Sequence, residues 1–189
     1  PSQLSQKNER RHDVVVIGGG SAGYAAARTA CEAGADVAIV DQGPLGGLCI
    51  LRGCMPTKTI LRSAEIMALM KRAREFGLAP VTARADLSAI VDRKNRLVQE
   101  FADYRIAALR DPRFTLYESH AEFVSPHEIC AGGLRIRGDA FVIATGSSVA
   151  KVAIPGLSEA GYVTSDEMLD VRHAPVSLAV LGGGLVAVE

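Results

Sequence analysis

Two cysteines, Cys49 and Cys54, stand five residues apart in the stretch LGGLCILRGCMPTK, and this spacing suits a redox-active pair of thiols. On an ideal helix, five residues advance the chain by about 7.5 Å. That exceeds the Cα separation of about 4.4–6.8 Å that a disulfide tolerates. The pair therefore needs an irregular turn, which Gly53 permits because it has no Cβ.

The residues around Cys54 predict that a helix begins there. Pro56 is suited to the first position of a helix, because the N–H that proline lacks would have no partner at that position. Peptide dipoles at a helix N-terminus favour negative charge, and Lys58 follows one turn later on the same helical face. The pattern indicates a redox disulfide with one sulfur of low pKa.

Two other interpretations of the cysteine pair are weaker. A structural disulfide is typical of oxidising compartments, whereas the polar opening PSQLSQKNERRHD has no apolar segment of a secretion signal. A zinc site needs four ligands, and no further His or Cys lies near the pair. We expect no metal site, and we expect Cys31 and Cys130 to be buried, unreactive thiols on a helix and a strand.

A strand, a glycine turn, a helix and a second strand precede the cysteines. Residues 13–17 form an apolar run typical of a strand buried on both faces. An alanine-rich helix is predicted over residues 21–33, and a second apolar strand, residues 36–40, ends at Asp41. This order is that of a nucleotide-binding unit with a parallel sheet, so we expect an α/β fold.

Three glycines of the turn fit the pattern G-x-G-x-x-G, which is informative because of these flanking elements. Gly18 would make the tight turn, Gly20 would let the backbone approach a pyrophosphate, and Gly23 would let the helix pack on the strand. Asp41 would accept hydrogen bonds from ribose hydroxyls, and the helix N-terminus would face the phosphates. We expect a bound dinucleotide rather than a glycine turn without function.

Two helices are predicted after the cysteines. The first, residues 57–76, carries an apolar stripe that we expect to be core, and Gly77 is placed to cap it. The second, residues 87–110, has Asp86 as candidate N-cap and cationic residues expected to face solvent. The first stripe comprises Ile60, Leu61, Ala64, Met67, Ala68 and Met70, and the second comprises Leu87, Ile90, Val91, Leu97, Val98 and Phe101, with Arg93, Lys94 and Arg96 outside it.

Short β-rich segments, FTLY, AEFV, HEICA, LRIR and AFVIAT, occupy residues 114–145. Pro126 and Gly132-Gly133 separate them, which predicts hairpins, a small antiparallel insertion and a return strand to the sheet.

A last apolar strand, predicted over residues 176–181, leads into a second glycine pattern formed by Gly182, Gly184 and Ala187. Glu189 follows about one helical turn later. A nucleotide-binding unit needs a full helix and another strand after such a turn. We therefore expect the chain to be the front part of a longer protein.

The composition favours a soluble globular protein. The 189 residues are 48% hydrophobic and 22% charged, which allows a sizeable core. Lys+Arg and Asp+Glu both number 21, so no basic surface is expected to hold nucleic acid or an anionic membrane. No apolar run approaches the ~18 residues of a spanning helix. We expect a cytoplasmic protein.

In this order, the motifs resemble the N-terminal part of the class I pyridine nucleotide-disulfide oxidoreductases, which include dihydrolipoamide dehydrogenase, glutathione reductase and mercuric reductase. The resemblance covers residues 13–189 and rests on DVVVIGGGSAG, Asp41, GGLCILRGCMPTK, the strand ending in ATG, IPG at 154–156, SD at 165–166, and GGGLVAVE. It implies a Rossmann-like FAD-binding domain over residues 13–170 and the truncated start of an NAD(P)H-binding domain over residues 171–189. Residues 1–12 are expected to be a disordered tail.

The resemblance also implies roles for individual residues. Cys54 matches the sulfur that lies against the flavin, and Cys49 matches the sulfur that exchanges with substrate. Lys58 matches a lysine near the flavin N5 nitrogen, and Glu189 matches the glutamate that pairs with it. The cofactor-binding candidates are Gly18, Gly20, Ser21, Ala22, Gly23, Asp41, Gln42, Gly46, Gly47, Leu48, Cys49, Lys58, His120, Ala121, Ala144, Thr145, Gly146, Ser165, Gly182 and Gly184.

The implied activity is that of an FAD-dependent NAD(P)H:disulfide oxidoreductase, foremost a dihydrolipoamide dehydrogenase-like enzyme, which acts on a small-molecule or protein-bound disulfide and is a homodimer when full length. The alternatives are a mercuric-reductase-like enzyme that takes Hg²⁺, a glutathione-reductase-like enzyme, and an FAD-binding fragment without turnover. Leu48 and Leu51 stand where the family usually has Thr and Asn, which removes two polar side chains next to the cysteines. We expect the 189 residues alone to be inactive.

Overall fold

The computed structural model of this protein describes residues 8–189, which form two compact units. The first unit comprises residues 8–49 and 101–147, and the second comprises residues 50–100 and 148–189. Residues 1–7, the larger part of the predicted tail, lie outside the described residues. The predicted domain boundary after residue 170 stays a prediction.

The first unit is built on a six-stranded sheet with the strand order β3-β2-β1-β6-β5-β4. The neighbours β3, β2, β1 and β6 are parallel, whereas β6, β5 and β4 form the antiparallel insertion. Helix α1, Ser21–Glu32, connects β1 to β2. The strands are β1 Glu9–Ile17, β2 Val37–Asp41, β3 Phe114–Glu118, β4 Ala121–Ser125, β5 Glu128–Ala131 and β6 Leu134–Ile143. The predicted α/β fold is confirmed.

Both faces of the central strands are buried, as the continuous apolar runs predicted. Successive side chains of a strand point to opposite faces, and Val15 and Val16 accordingly belong to different core clusters, although both are fully buried. Val16 packs with Ala27 of α1 and with Leu109, while Val15 packs with residues of the antiparallel hairpin.

The sheet is longer than the sequence predicted. Strand β1 begins at Glu9 rather than residue 13, because residues 9–12 pair with residues 135–138 of β6. The buried His12 ring lies 2.9 Å from Asp36 Oδ2 and 3.0 Å from Tyr117 Oη. The predicted segment LRIR and the first four residues of AFVIAT belong to the single strand β6, which ends at Ile143. The prediction missed both extensions because it relied on apolar runs. The ends of a strand that are exposed to solvent can carry charged side chains, as residues 9–11 do.

The second unit consists of helices and the segments that connect them, and α2 and α4 each belong partly to both units. The short helix α2, Leu48–Leu51, precedes α3, Cys54–Lys71, which is followed by a 3₁₀ turn, Ala73–Phe76. Helix α4, Leu87–Leu109, runs from the second unit into the first. The remaining helices are one turn each: α5 Leu157–Ala160, α6 Ser165–Met168 and α7 Leu185–Val188.

The Asp86 cap is confirmed, whereas the helix predicted over residues 57–76 ends at Lys71, and Gly77 caps the separate 3₁₀ turn that follows. Gly77 ends the 3₁₀ turn in the left-handed region, with φ of 74°. The Ala89 N–H donates to Asp86 Oδ1 at 3.1 Å at the start of α4. Pro56, in contrast, is the third residue of α3 rather than the first. Proline is tolerated there because N–H groups of the first turn have no intrahelical acceptor.

The apolar stripe predicted for α3 is not a core face. Pro56 is the buried residue of α3, and Leu61 of the stripe is 41% exposed. On α4, Val91 is buried as expected, but Phe101 is 45% exposed. Helical periodicity shows which residues share a face, but it does not show what covers that face.

Lys94, which was predicted to face solvent, is instead buried. Its side chain is 5% exposed, and its Nζ donates to Asp170 Oδ1 at 2.6 Å. The partner that makes this burial tolerable lies 76 residues away in the sequence, so no local pattern could indicate it.

The burial of Lys94 predicts that substitutions of the two residues of this ion pair affect stability unequally. Asp170→Asn should lower the free energy of unfolding by about 1–3 kcal/mol, because it leaves a buried ammonium without its counter-charge; a fully buried pair would cost more. Lys94→Met should change it by less than about 1 kcal/mol, because it leaves Asp170, which is 67% exposed, in water. Urea unfolding at pH 7 measures both. Equal losses would show that the ammonium is effectively solvated.

The second glycine pattern does not form the predicted strand–turn–helix unit. Residues 176–181 are not in a strand, and Val176, Leu178 and Val180 are exposed. A strand needs a neighbour for its backbone hydrogen bonds, and no strand of the described residues pairs with this segment. Gly184 precedes the single turn α7.

Candidate functional site

The predicted cofactor-binding segments of the first unit lie at the carboxyl ends of the parallel strands. Strands β1, β2, β3 and β6 are parallel and end at Ile17, Asp41, Glu118 and Ile143. The glycine turn, residues 42–47, His120 and residues 144–146 each follow one of these ends. In open α/β sheets, ligands bind outside the carboxyl ends of the strands where the strand order reverses, and β1 lies at this point between β2 and β6.

The glycine turn is closely packed except at Gly20. Gly18 has φ of 102°, and a Cβ added there would lie 2.2 Å from Ala144 O. A Cβ on Gly23 would lie 1.7 Å from Gly18 O, so these two positions require glycine for the fold itself. A Cβ on Gly20 would only reach ordinary contact, 3.6 Å from Gly47 Cα. The space in front of Gly20 is therefore not needed by the protein's own packing.

Gly20 is also the N-cap of α1, and it makes no side-chain cap hydrogen bond. The first N–H groups of a helix lack intrahelical acceptors and carry partial positive charge. A phosphate in front of Gly20 would accept hydrogen bonds from them. The turn therefore fits the pyrophosphate of a dinucleotide, with Ser21 and Ala22 at the first two helical positions.

Asp41 is held in place by backbone N–H groups. Its Oδ2 accepts from Gly19 N–H at 2.6 Å, and its Oδ1 accepts from Gly43 N–H at 2.7 Å. Each oxygen of a carboxylate has a second lone pair, so Asp41 can still accept hydrogen bonds from hydroxyl groups such as those of a ribose. The carboxylate thus joins the glycine turn to the end of β2.

Two further candidates meet through their side chains. His120 Nδ1 lies 2.8 Å from Gln42 Oε1. The two residues follow β3 and β2, which are neighbours in the sheet. His120 is 65% exposed, and Ala121 begins β4. The segment predicted to meet an adenine therefore lies at the same edge as Asp41.

The two cysteines occupy helical segments separated by a turn. Cys49 is half-buried in α2, whereas Cys54 is exposed and is the first residue of the 18-residue helix α3. Gly53 is the N-cap, and it makes no side-chain cap hydrogen bond. The dipoles of α3 therefore favour negative charge at Cys54, as the sequence predicted. Cys31 in α1 and Cys130 in β5 are half-buried rather than fully buried, and burial raises the pKa of the Cys31 thiol.

Lys58 and Glu189 meet within the second unit, as the sequence predicted. Lys58 Nζ donates a hydrogen bond to Glu189 Oε1. This hydrogen bond from Lys58, followed by one from Thr57, lowers the pKa of the Glu189 carboxyl. The two charged groups lie 131 residues apart in the sequence. Whether the pair lies beside a flavin stays a prediction.

The pKa of Glu189 provides a test of this contact. Lys58→Met should raise that pKa toward the ordinary carboxyl value, because the main hydrogen bond to the carboxylate is lost. Since the folded-state pKa is depressed, the contact stabilises the fold above the ordinary carboxyl pKa, and this contribution is lost as pH falls through the lowered value. Carboxyl ¹³C NMR titration, assigned with Glu189→Gln, measures the shift. Arg62→Met, which removes a cation one turn further along α3, should leave the titration of Glu189 unchanged.

One residue near the cysteines was missed by the sequence analysis. Arg52 lies between Cys49 and Cys54, and its Nη1 donates to Asp166 Oδ2 at 3.3 Å. The predicted cofactor residue Ser165 begins α6, directly before this aspartate. A charged side chain inside the cysteine turn was the available signal, but its partner lies 114 residues away.

Gly182 and Gly184 lie in a segment that the structure describes without a strand. Residues 171–189 contain one helical turn and no strand, so the described residues do not assemble the second glycine pattern into a phosphate-binding turn. The role of these two glycines in NAD(P)H binding stays a prediction.

Among the helices of residues 8–189, none is long and apolar enough to cross a membrane.

Comparison with known proteins gives consistent matches. The sequence matches the family described as pyridine nucleotide-disulphide oxidoreductase over residues 12–189. It is 38% identical over 179 residues to a mercuric reductase of Staphylococcus aureus, covering 94% of this chain and 33% of that protein. It is 35% identical over 185 residues to a dihydrolipoyl dehydrogenase of Acholeplasma laidlawii, covering 95% of this chain and 55% of that protein.

The fold has solved counterparts as well. The HOCl-induced flavoprotein disulfide reductase RclA from Escherichia coli superimposes with a TM-score of 0.73 at 30% identity, covering 93% of this chain and 38% of that chain. A Cu(II) complex of the same reductase matches with a TM-score of 0.67 at 29% identity, over 84% of this chain and 34% of that chain. This chain thus spans about a third to a half of the length of these relatives. By the match over residues 12–189, the chain belongs to the pyridine nucleotide-disulphide oxidoreductase family.

Proposed function

We propose that this chain is the FAD-binding and redox-disulfide portion of an NAD(P)H-dependent disulfide oxidoreductase of the dihydrolipoamide dehydrogenase type. The observation that carries the proposal is the position of Cys54 as the first residue of α3, five residues after Cys49. The family supports FAD and a nicotinamide nucleotide as cofactors. We propose FAD binding for residues 13–170 and a homodimer for the whole protein.

The first unit would hold the dinucleotide. The N-terminus of α1 would bind the pyrophosphate in front of Gly20, and Asp41 would orient the ribose. Gly47 Cα lies 3.6 Å from the position of a Cβ on Gly20, and we propose that the N–H groups of Gly46, Gly47 and Leu48 contribute to this site. When bound, FAD supplies the two-electron transfer between a nicotinamide and a dithiol. Residues 144–146 and His120 would line the remainder of the site.

The cysteines would carry out the exchange with substrate. The Cys49 thiolate attacks one sulfur of an external disulfide, and the other sulfur leaves as a thiol after taking up a proton. The Cys54 thiolate then attacks Cys49, which closes the Cys49–Cys54 disulfide and releases the second substrate thiol. In the dihydrolipoamide dehydrogenase direction, the same steps run in reverse. The dipoles of α3 favour the thiolate that the second step requires.

Lys58 and Glu189 would control charge near the cysteines. Glu189 gives Lys58 a counter-charge through a direct hydrogen bond, which favours the ammonium form. Lys58 follows Cys54 by one helical turn. We propose that Lys58 keeps its positive charge throughout turnover and that Glu189 fixes its orientation.

The activity is tested with the full-length protein. The visible spectrum of the purified protein should show stoichiometric flavin, and NAD⁺ should be reduced in the presence of dihydrolipoamide. Lipoamide, glutathione disulfide and Hg²⁺ are then compared as oxidants of NADH and NADPH. Flavin retention without turnover on any of these acceptors would favour the catalytically silent alternative.

A mercuric-reductase-like activity is the second candidate. Two relatives at 38% and 34% identity are mercuric reductases, and thiolates are apt ligands for a soft cation. Leu48 and Leu51 leave the cysteine turn without the polar side chains usual for the family. Hg²⁺-dependent oxidation of NADPH that exceeds the rate with lipoamide would establish this candidate over the first.

A further inference from the structure

Arg52 is the charged side chain of the turn between α2 and α3. It lies three residues after Cys49 and two residues before Cys54. Its guanidinium donates from Nη1 to Asp166 Oδ2 at 3.3 Å. Arg52 is half-exposed, whereas the Asp166 side chain is 26% exposed. The turn before Cys54 is thereby tied to α6 within the second unit.

Asp166 is itself held in a fixed position. Its N–H donates to Thr164 Oγ1 at 3.2 Å, and the Thr164 N–H donates to Glu167 Oε2 at 2.7 Å, which completes a capping box around α6. A capping box satisfies two helix-terminal donors at once and fixes the entry of the chain into the helix. The carboxylate that Arg52 contacts is therefore not on a freely moving segment.

The residues that follow α6 are attached to α4 by two ion pairs. Asp170 accepts from the buried Lys94 at 2.6 Å, and Arg172 donates to Asp92 Oδ1 at 2.7 Å. Lys94 cannot leave this arrangement without losing the counter-charge of a buried ammonium. The anchor of Arg52 is thus connected to a 23-residue helix rather than to a loop.

An open pocket borders the turn between α2 and α3. The pocket has a volume of about 230 Å³, and its lining includes Leu51, Arg52, Asp166 and Asp170. The Arg52–Asp166 contact lies at this pocket and connects the turn before Cys54 to α6.

We propose that Arg52 is a positioning residue for the redox pair, and that its ion pair with Asp166 keeps the turn before Cys54 ordered while Cys49 and Cys54 are free thiols, as they are in this structure. The inference rests on the proposed function of Cys49 and Cys54. A dithiol whose connecting turn is already ordered loses less conformational entropy when the S–S bond forms. The contact therefore favours the disulfide, and its removal makes the pair easier to reduce.

The test measures the equilibrium between the pair and dithiothreitol in the full-length, FAD-loaded protein. Each dithiothreitol gives two electrons and two protons as the Cys49–Cys54 bond breaks, and it becomes a cyclic disulfide itself. Thiols are trapped by alkylation and counted by mass spectrometry. Arg52→Met and Asp166→Asn should each raise the equilibrium constant for reduction about threefold to fivefold, the range of an exposed ion pair. This corresponds to about 14–21 mV.

The double variant Arg52→Met with Asp166→Asn should shift the equilibrium no further than either single change, because both remove the same contact. The exchanged pair, Arg52→Asp with Asp166→Arg, should restore the wild-type value. Arg52→Lys should shift the equilibrium less than Arg52→Met, because a single N–H donor suffices for the observed contact. Arg62→Met, which replaces an exposed arginine on α3, should leave the equilibrium constant for reduction unchanged. Circular dichroism confirms that each variant is folded.

Two results would overturn the positioning role. Shifts of opposite sign for Arg52→Met and Asp166→Asn would show that the charges act directly on the thiolate, and unchanged equilibria would show that the turn needs no anchor. If the wild-type thiols form no disulfide at any dithiothreitol ratio, the proposed function fails together with this inference. A reversible wild-type disulfide with unaffected variants would remove this inference alone.

Discussion

Gly20→Val is expected to abolish FAD retention in the full-length protein while the chain stays folded. Gly20 has φ of −66° and ψ of −167°, which any residue can adopt, and an added Cβ meets only Gly47 Cα at 3.6 Å. The substitution should therefore change the free energy of unfolding by no more than about 1 kcal/mol. It places a branched side chain where a pyrophosphate must approach the N-terminus of α1. Flavin absorbance per protein after gel filtration measures retention.

Matched substitutions separate cofactor binding from folding. Gly20→Ala should weaken FAD binding less than Gly20→Val, because it adds one methyl group. Ala25→Val on the exposed part of α1 should leave retention unchanged. Gly23→Ala should prevent folding instead, because its Cβ would lie 1.7 Å from Gly18 O. Stoichiometric flavin in a folded Gly20→Val protein would sink the assignment of this turn to the pyrophosphate.

Cys49→Ser and Cys54→Ser should each lower disulfide turnover by at least about a thousandfold, because each removes one partner of the exchange. Their spectra should differ. After two-electron reduction of the full-length protein, Cys49→Ser should keep a long-wavelength thiolate-to-flavin absorption band, and Cys54→Ser should lose it. The expectation follows from Cys54 as the first residue of α3, where negative charge is favoured, and from the family resemblance.

Cys31→Ser and Cys130→Ser serve as controls for general effects of thiol removal. Both residues lie in regular secondary structure of the first unit, and both variants should keep turnover and the absorption band. A band that survives in Cys54→Ser but not in Cys49→Ser would reverse the roles of the two sulfurs.

Local patterns were sufficient for much of the fold. Residues 13–17 and 36–40 were recognisable as central strands because a strand covered on both faces is apolar at every position. The glycine turn, the Asp86 cap and the Gly77 cap were recognisable because they depend on backbone geometry within a few residues. The cysteine turn was recognisable for the same reason, since five-residue spacing and a helix start are local properties.

Only the tertiary structure decided which side chains meet across long sequence separations. No sequence pattern indicated that Lys94 is buried against Asp170 or that Arg52 contacts Asp166, and residues 9–12 were predicted to lie outside the sheet. The sequence also suggested a strand at residues 176–181, where the described residues supply no neighbouring strand. Periodicity and composition report the preference of a segment for a conformation. Burial, charge pairing and strand pairing depend instead on the partner that another part of the chain supplies, because a buried charge or an unpaired strand is stable only when its partner is present.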